Sequence, residues 1–264
     1  MVCSVNKSLD IELVMASCRG QTIGHTLIHY DTLGSTMDEA CVRAQKGSPE
    51  GTIVVAEEQA DGRGRFDRQW ISPKGADLLF SIILRPSIQQ LPQVNMAAAI
   101  SVCEIVRNQT GLNAVIKWPN DVRVRGRKIS GILVESVVDS GSVDSAVVGF
   151  GINVNSDHTK DEQLKSIATS MRIETGNLFD RVRVLVGILQ NFNHHYSSVI
   201  RGKPLTKLWE SQLETIGQHV EVRWKEDVYE GVATGVDEAG NLLLRQPDGS
   251  QLVAVAGEVT MQGS

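Results

Sequence analysis

From Ala114 to Val138 the chain reads AVIKWPNDVRVRGRKISGILVESVV, and this stretch sets the fold class. Ala114–Trp118 and Ile129–Val138 are apolar runs of strand character, and a third follows at Ala146–Val154. Arg125-Gly126-Arg127 stands where a tight hairpin turn would join two of them. Hairpins make antiparallel neighbours, whereas a doubly wound parallel sheet needs a helical crossover between successive strands. Outward from this stretch strands and helices interleave. Thr52–Ala56 and Leu78–Leu84 are compact buried strands, the second ended by Arg85-Pro86. Ser35-Thr36-Met37-Asp38-Glu39 sets hydroxyls ahead of acids at capping-box spacing and opens a short helix that stops at Gly47. Pro92–Thr110 carries Met96, Ala99, Cys103 and Val106 on one stripe and closes at Gly111. Helical patterns also cover Phe179–Ile200 and Leu205–Ile216. The pattern predicts an α+β domain built on a mixed sheet.

At Gly217 the character changes. His219–Trp224 alternates, Val228–Val236 is β-rich, and Leu242–Leu244 and Gln251–Val255 follow, with Gly240 and Asp248-Gly249 as turn points. Such a succession of short strands predicts a small β-barrel, so the chain divides into residues 1–216 and 217–264. So small a unit has a thin core and is expected to dock on the larger one.

Composition narrows the class. Of 264 residues, 41% are hydrophobic and 22% charged, which fits a globular protein and excludes disorder. The net charge of −5 runs against a dedicated nucleic-acid binder, which needs a basic surplus for phosphates. No run approaches the ~18 apolar residues of a membrane span, and residues 1–20 lack a basic start followed by an apolar core. Cys3, Cys18, Cys41 and Cys103 are scattered and the histidines dispersed, so neither a disulfide framework nor a zinc site is indicated. A reducing cytoplasm is the expected compartment.

Four stretches carry chemistry. In Gln59-Ala60-Asp61-Gly62-Arg63-Gly64-Arg65-Phe66-Asp67-Arg68-Gln69-Trp70, two glycines let the backbone approach a ligand while arginine forks suit phosphate or carboxylate. No Gly-Lys-Ser/Thr follows, so this is not a Walker A loop; a solvated basic loop is the plainer reading. In Lys117-Trp118-Pro119-Asn120-Asp121, Pro119 stops a strand and presents Asn120 and Asp121 at its end, where a ligand contact or a structural Asx-turn would serve equally. Lys128, ahead of Ile129-Ser130-Gly131-Ile132-Leu133-Val134-Glu135, either points charge into a pocket or stands as a solvated edge charge. Gly149-Phe150-Gly151-Ile152-Asn153-Val154-Asn155 permits close backbone approach or tight strand packing.

Their order and spacing, from Ser35-Thr36 through Gly151-Ile152-Asn153, resemble the biotin protein ligase family, and the likeness extends loosely through the terminal barrel. The resemblance implies a class II synthetase-like catalytic domain with an SH3-like barrel, and a two-step reaction. Biotin's carboxylate attacks the α-phosphate of ATP to give biotinyl-5'-AMP and pyrophosphate, and a lysine of a biotin carrier domain then takes the biotinyl group. By family position Ser35, Thr36, Met37, Gln59, Arg63, Gly64, Arg65, Lys128 and Gly131 bind biotin. Arg63, Arg65, Trp70, Lys117, Asn120, Lys128 and Asn153 bind ATP or the adenylate, with Trp70 against adenine. Lys128, Arg63 and Asp121 carry catalysis, Mg²⁺ accompanies ATP without nameable protein ligands, and Asp121 holds the incoming amine. Two departures stand out: Met37 replaces a common Asn, and Asp67 replaces a common glycine and would pair with Arg65 or Arg68. The 34 residues before Ser35 are too few for the helix-turn-helix domain of repressor relatives, so a monofunctional ligase without DNA or membrane binding is expected. Relatives pair through sheet edges, which makes a homodimer the corresponding expectation.

Overall fold

Leu78–Leu84 is buried at every position, as a strand at the centre of a covered sheet must be. The computed structural model, which describes residues 8–66, 68–139 and 142–261, places it third in a seven-stranded sheet. In chain order the strands are β1 (Thr26–Tyr30), β2 (Thr52–Ala56), β3 (Leu78–Leu84), β4 (Ala114–Lys117), β5 (Asp121–Val124), β6 (Arg127–Asp139) and β7 (Ser142–Ile152). In space they run β1-β2-β3-β7-β6-β5-β4. β1 and β2 are parallel, joined across helix α2 (Thr36–Gln45), and the other pairs are antiparallel. The sheet is therefore mixed, as the hairpin signals predict.

The two faces of the sheet are built differently. Phe80 and Ile82 of β3, with Val148, Phe150 and Ile152 of β7, face α3 (Leu91–Thr110) and α5 (Arg181–Ile200) in the main core. Phe80 and Phe150 stack at 4.5 Å, and Phe192 of α5 meets Phe150 edge-on at 5.7 Å. On the opposite face Val54, Ile83 and Val147 pack against Met37, Ala40 and Ala44 of α2. Beyond α2 that face carries small residues at adjoining register positions. Ser81 lies opposite Gly149, and Gly151 opposite Gly131. The missing side chains leave a hollow in the sheet.

The tail forms a five-stranded antiparallel sheet from β8 (His219–Trp224), β9 (Asp227–Val236), β10 (Leu242–Arg245), β11 (Gln251–Ala254) and β12 (Glu258–Met261), in the order β11-β10-β9-β8-β12. Its inward residues Val220, Val222, Ala233, Leu242, Leu244 and Val259 join the core cluster of the large sheet. Trp118 Nε1 donates to Gly240 O at 2.8 Å, and Gln93 Nε2 to Glu238 O at 3.2 Å, which fixes the small sheet on the large one.

Two sequence expectations need correction. The turn at Arg125 and Gly126, both with positive φ, joins β5 to β6, and β5 is a strand that the sequence reading passed over, as it did β1 and the short helix α1 (Ile11–Ser17). Leu205–Ile216 is not one helix. Only Thr206–Glu210 is helical, as α6 after the short α4 (Met171–Thr175). The remainder turns aside because Ile116 N donates to Gln212 O and Glu214 N to Ile116 O, which satisfies the outer edge of β4. No helix among the described residues is long and apolar enough to cross a membrane. Cys18, Cys41 and Cys103 are free thiols, and Cys3 lies outside the described residues.

Candidate active site

The hollow in the sheet is the floor of a cavity of about 440 Å³. Its walls are the N-terminus of α2, the arginine-glycine loop, the Lys117–Asp121 turn, a segment around His158 to Ala168, and the start of β12. Ser35, Thr36, Met37, Gln59, Arg63, Gly64, Arg65, Trp70, Lys117, Asn120, Asp121, Lys128, Gly131 and Asn153 all line it.

The indole of Trp70 lies on the glycine pair. A Cβ added to Gly151 would fall 2.5 Å from its Cε2, and one on Gly131 3.0 Å from its Cζ3. Lys128 Nζ stands 5.5 Å from the ring centroid and forms an ion pair with Asp121 Oδ1 at 2.7 Å. Lys128 is aimed by its backbone. Its N–H donates to Ile167 O and its carbonyl accepts from Thr169 N, both at 2.8 Å, beside a register shift between β5 and β6.

Around the N-terminus of α2 the lining groups are uncharged. Ser35 caps α2, its Oγ accepting from Asp38 N at 3.4 Å. Thr36 N donates to Gln59 Oε1 at 2.7 Å, and Ser81 Oγ donates to Thr36 Oγ1 at 2.9 Å. Met37 packs its thioether against Gly149, so this wall is apolar.

The arginine-glycine loop brings cations to the cavity, each facing a resident partner. Arg63 pairs with Glu135 at 2.7 Å and Asp38 at 3.2 Å, Arg65 donates to Asn120 Oδ1 at 3.1 Å, and Arg68 binds Glu258 at 2.6 Å. Glycine at 62 is obligatory, because a Cβ there would lie 2.4 Å from Trp70 O, whose residue donates its N–H back to Gly62 O. Phe66 at the loop tip has φ of 56° and meets Trp224 of β8 edge-on. The loop thus spans from α2 and β6 to the small sheet. Burial pulls the Arg65 guanidinium below its ordinary value. Burial, then the Arg123 charge, does the same to the Lys117 ammonium. Half-buried cations with incomplete compensation attract an anion. The expected pairing of Asp67 lies outside the described residues.

Beyond Trp70, Asn153 Nδ2 donates to Thr169 O at 2.9 Å while its Oδ1 is buried without a partner, as is Trp70 Nε1. Asp77 supports both sides of this end. Its Oδ1 accepts from the N–H groups of Val154, Asn155 and Ser156, and its Oδ2 from the Ser72 hydroxyl. Sequence reading missed His158, Ile167, Ala168, Glu258 and Ser81. The first three sit in a segment without periodicity, Glu258 is 190 residues from Arg68, and Ser81 hides within an apolar run. Among the described residues no three His, Cys, Asp or Glu side chains are grouped to hold a metal ion.

Comparison with known proteins gives the family of the chain. Residues 34–153 match the biotin/lipoate A/B protein ligase family, and residues 215–261 match the biotin protein ligase C-terminal domain. The chain is 39% identical to the bifunctional ligase/repressor BirA of Bacillus spizizenii, over 87% of this chain and 72% of that protein. It is 30% identical to the biotin–[acetyl-CoA-carboxylase] ligase of Paracoccus denitrificans, over 84% and 95%. The solved structure of the Aquifex aeolicus biotin protein ligase in complex with biotin and ATP superposes with a TM-score of 0.76 at 30% identity, over 90% and 99%.

Proposed function

This chain belongs to the biotin/lipoate A/B protein ligase family, and from that premise we propose that its cavity joins biotin to ATP and passes the biotinyl group to a lysine of a biotin carrier domain. The observation that carries this reading is the mixed lining of the cavity: uncharged hydroxyl and amide groups at Ser35, Thr36 and Gln59, together with cations at Arg63, Arg65, Lys117 and Lys128. Biotin carries a partner for each kind, a neutral cyclic urea and a carboxylate.

In the first step a biotin carboxylate oxygen attacks the α-phosphorus of ATP, and the bond to the bridging oxygen of the β-phosphoryl group breaks, releasing pyrophosphate. A carboxylate and phosphates repel, so cations must lower the barrier. Lys128 stabilises the carboxylate and α-phosphoryl oxygens, exchanging Asp121 for them. The loop arginines exchange Glu135, Asp38 and Asn120 for phosphate oxygens. Mg²⁺ would enter as part of the nucleotide substrate and would neutralise phosphate charge there. The indole of Trp70 gives adenine a flat surface, and Asn153 Oδ1 offers an acceptor to its amino group. In the second step the carrier lysine amine attacks the acyl carbon, AMP departs, and the amine proton is lost. Asp121, released from Lys128, orients that amine. The ordered loop excludes water that would hydrolyse the anhydride.

A lipoate ligase is the rival within the same family. It would have no use for those hydroxyl and amide groups, because lipoate's dithiolane carries no urea. Pyrophosphate release from ATP in the presence of biotin or lipoate separates the two. Release with biotin alone supports the reading, and release with lipoate alone overturns it.

A further inference from the structure

Ser81 is the polar exception in Leu78-Leu79-Phe80-Ser81-Ile82-Ile83-Leu84, a strand sealed from solvent along its length. A buried hydroxyl costs free energy unless it is bonded, and this one is bonded to Thr36 Oγ1 at 2.9 Å. Ser81 does not line the cavity; Thr36 does. The proton of a fully buried serine needs an acceptor, so Ser81 donates and the Thr36 oxygen accepts. Thr36 is thereby fixed at two atoms, its N–H on Gln59 Oε1 and its Oγ1 under Ser81. Its own proton and one lone pair remain for the cavity. Gly149, opposite Ser81 in the sheet, makes room for Met37 rather than for Ser81, since a Cβ there would come 2.4 Å from Met37 Sδ.

We infer that Ser81 is a positioning residue for the biotin ring, acting through Thr36 by presetting the hydroxyl that meets the cyclic urea. The inference rests on the reading of the cavity as a biotin–ATP site. It assigns a substrate-binding task to the centre of β3, one residue deeper than the residues that touch the ligand.

The test is a double-mutant cycle on biotin-dependent pyrophosphate release with Ser81→Ala, Thr36→Val and the pair. Loss of one preset hydrogen bond should raise the KM for biotin about tenfold in Ser81→Ala, with KM for ATP and kcat at saturating biotin within about twofold of wild type. The double variant should match Thr36→Val alone, because Ser81 has no task once the Thr36 hydroxyl is gone. Ser81→Cys, which keeps volume and a weak donor, should fall between wild type and Ser81→Ala and serves if the alanine variant does not fold. Multiplying effects in the double variant, or parallel changes in the KM values for biotin and ATP, would show a packing role and overturn the inference. A Thr36→Val variant with unchanged biotin KM would also overturn it while leaving the ligase reading intact. Wild type that releases no pyrophosphate with biotin would overturn both.

Discussion

Gly151→Ala tests the floor of the site directly. The added methyl carbon would lie 2.5 Å from Trp70 Cε2 and 2.8 Å from both Cδ2 and Cζ2, where ordinary contact begins near 3.4 Å. The indole must therefore retreat by about 1 Å, a displacement that in a catalytic site costs on the order of a hundredfold in rate. The indole lies over both Gly151 and Gly131, so the sheet backs it on that side. The remaining direction is into the cavity, toward Lys128. Overpacking at such a site destabilises by about 1–3 kcal/mol, so the protein stays folded while kcat/KM for ATP falls about 10- to 100-fold. The assay is steady-state pyrophosphate release at saturating biotin, with thermal unfolding and tryptophan emission in parallel. Gly34→Ala, whose methyl would meet Asp61 at an ordinary 3.8 Å, is the control and should behave like wild type. ATP kinetics in Gly151→Ala within twofold of wild type would refute the account of the glycine pair as the bed of the indole.

Other consequences are as specific. Lys128→Ala should slow pyrophosphate release about 10²- to 10³-fold, with Lys128→Arg retaining part of the rate; rapid-quench measurement of the first turnover checks this. The ion pair between Arg68 and Glu258 joins the arginine loop to β12, so Glu258→Arg should speed tryptic cleavage within residues 63–68, and the exchange Arg68→Glu/Glu258→Arg should restore protection. The bond from Arg68 holds the Glu258 carboxyl below its ordinary value. Its contribution is therefore present above the unfolded-state value and lost as pH falls through the lowered one. The thermal-midpoint difference between wild type and Glu258→Gln should hold from neutrality to about pH 5 and close in stronger acid. Trp118→Phe removes the donor to Gly240 O and should cost about 1–3 kcal/mol in denaturant unfolding while loosening the small sheet.

Much of the molecule is legible in local pattern. Ser35 reads as a cap because hydroxyl and acids stand at capping distance, and it caps α2. Gly111 reads as a helix stop and adopts the left-handed conformation that ends α3. The arginine-glycine loop and Lys117–Asp121 are short motifs that each admit a ligand-binding or a plain structural reading, and they lie in one cavity. What escaped depends on distant partners. β5 has four residues, too few for a periodic signal, and β1 is half-exposed throughout. The helical pattern after Leu205 yields beyond Glu210 because the edge of β4 claims the backbone of Gln212 and Glu214. Glu258 gains meaning only when β12 comes to rest beside Arg68. Ser81 counts as part of an apolar run until Thr36 is seen beneath it.

The central claim is that one cavity both activates biotin and delivers it to a carrier. Its most direct test is a single-turnover experiment in which the protein, biotin and ATP are combined, pyrophosphate is followed, and a biotin carrier domain is then added. The account predicts biotin-dependent pyrophosphate release first, then AMP release matched by one biotinyl group on the carrier lysine, with both steps slowed in Lys128→Ala. Tight biotin binding with neither pyrophosphate nor carrier labelling would contradict it.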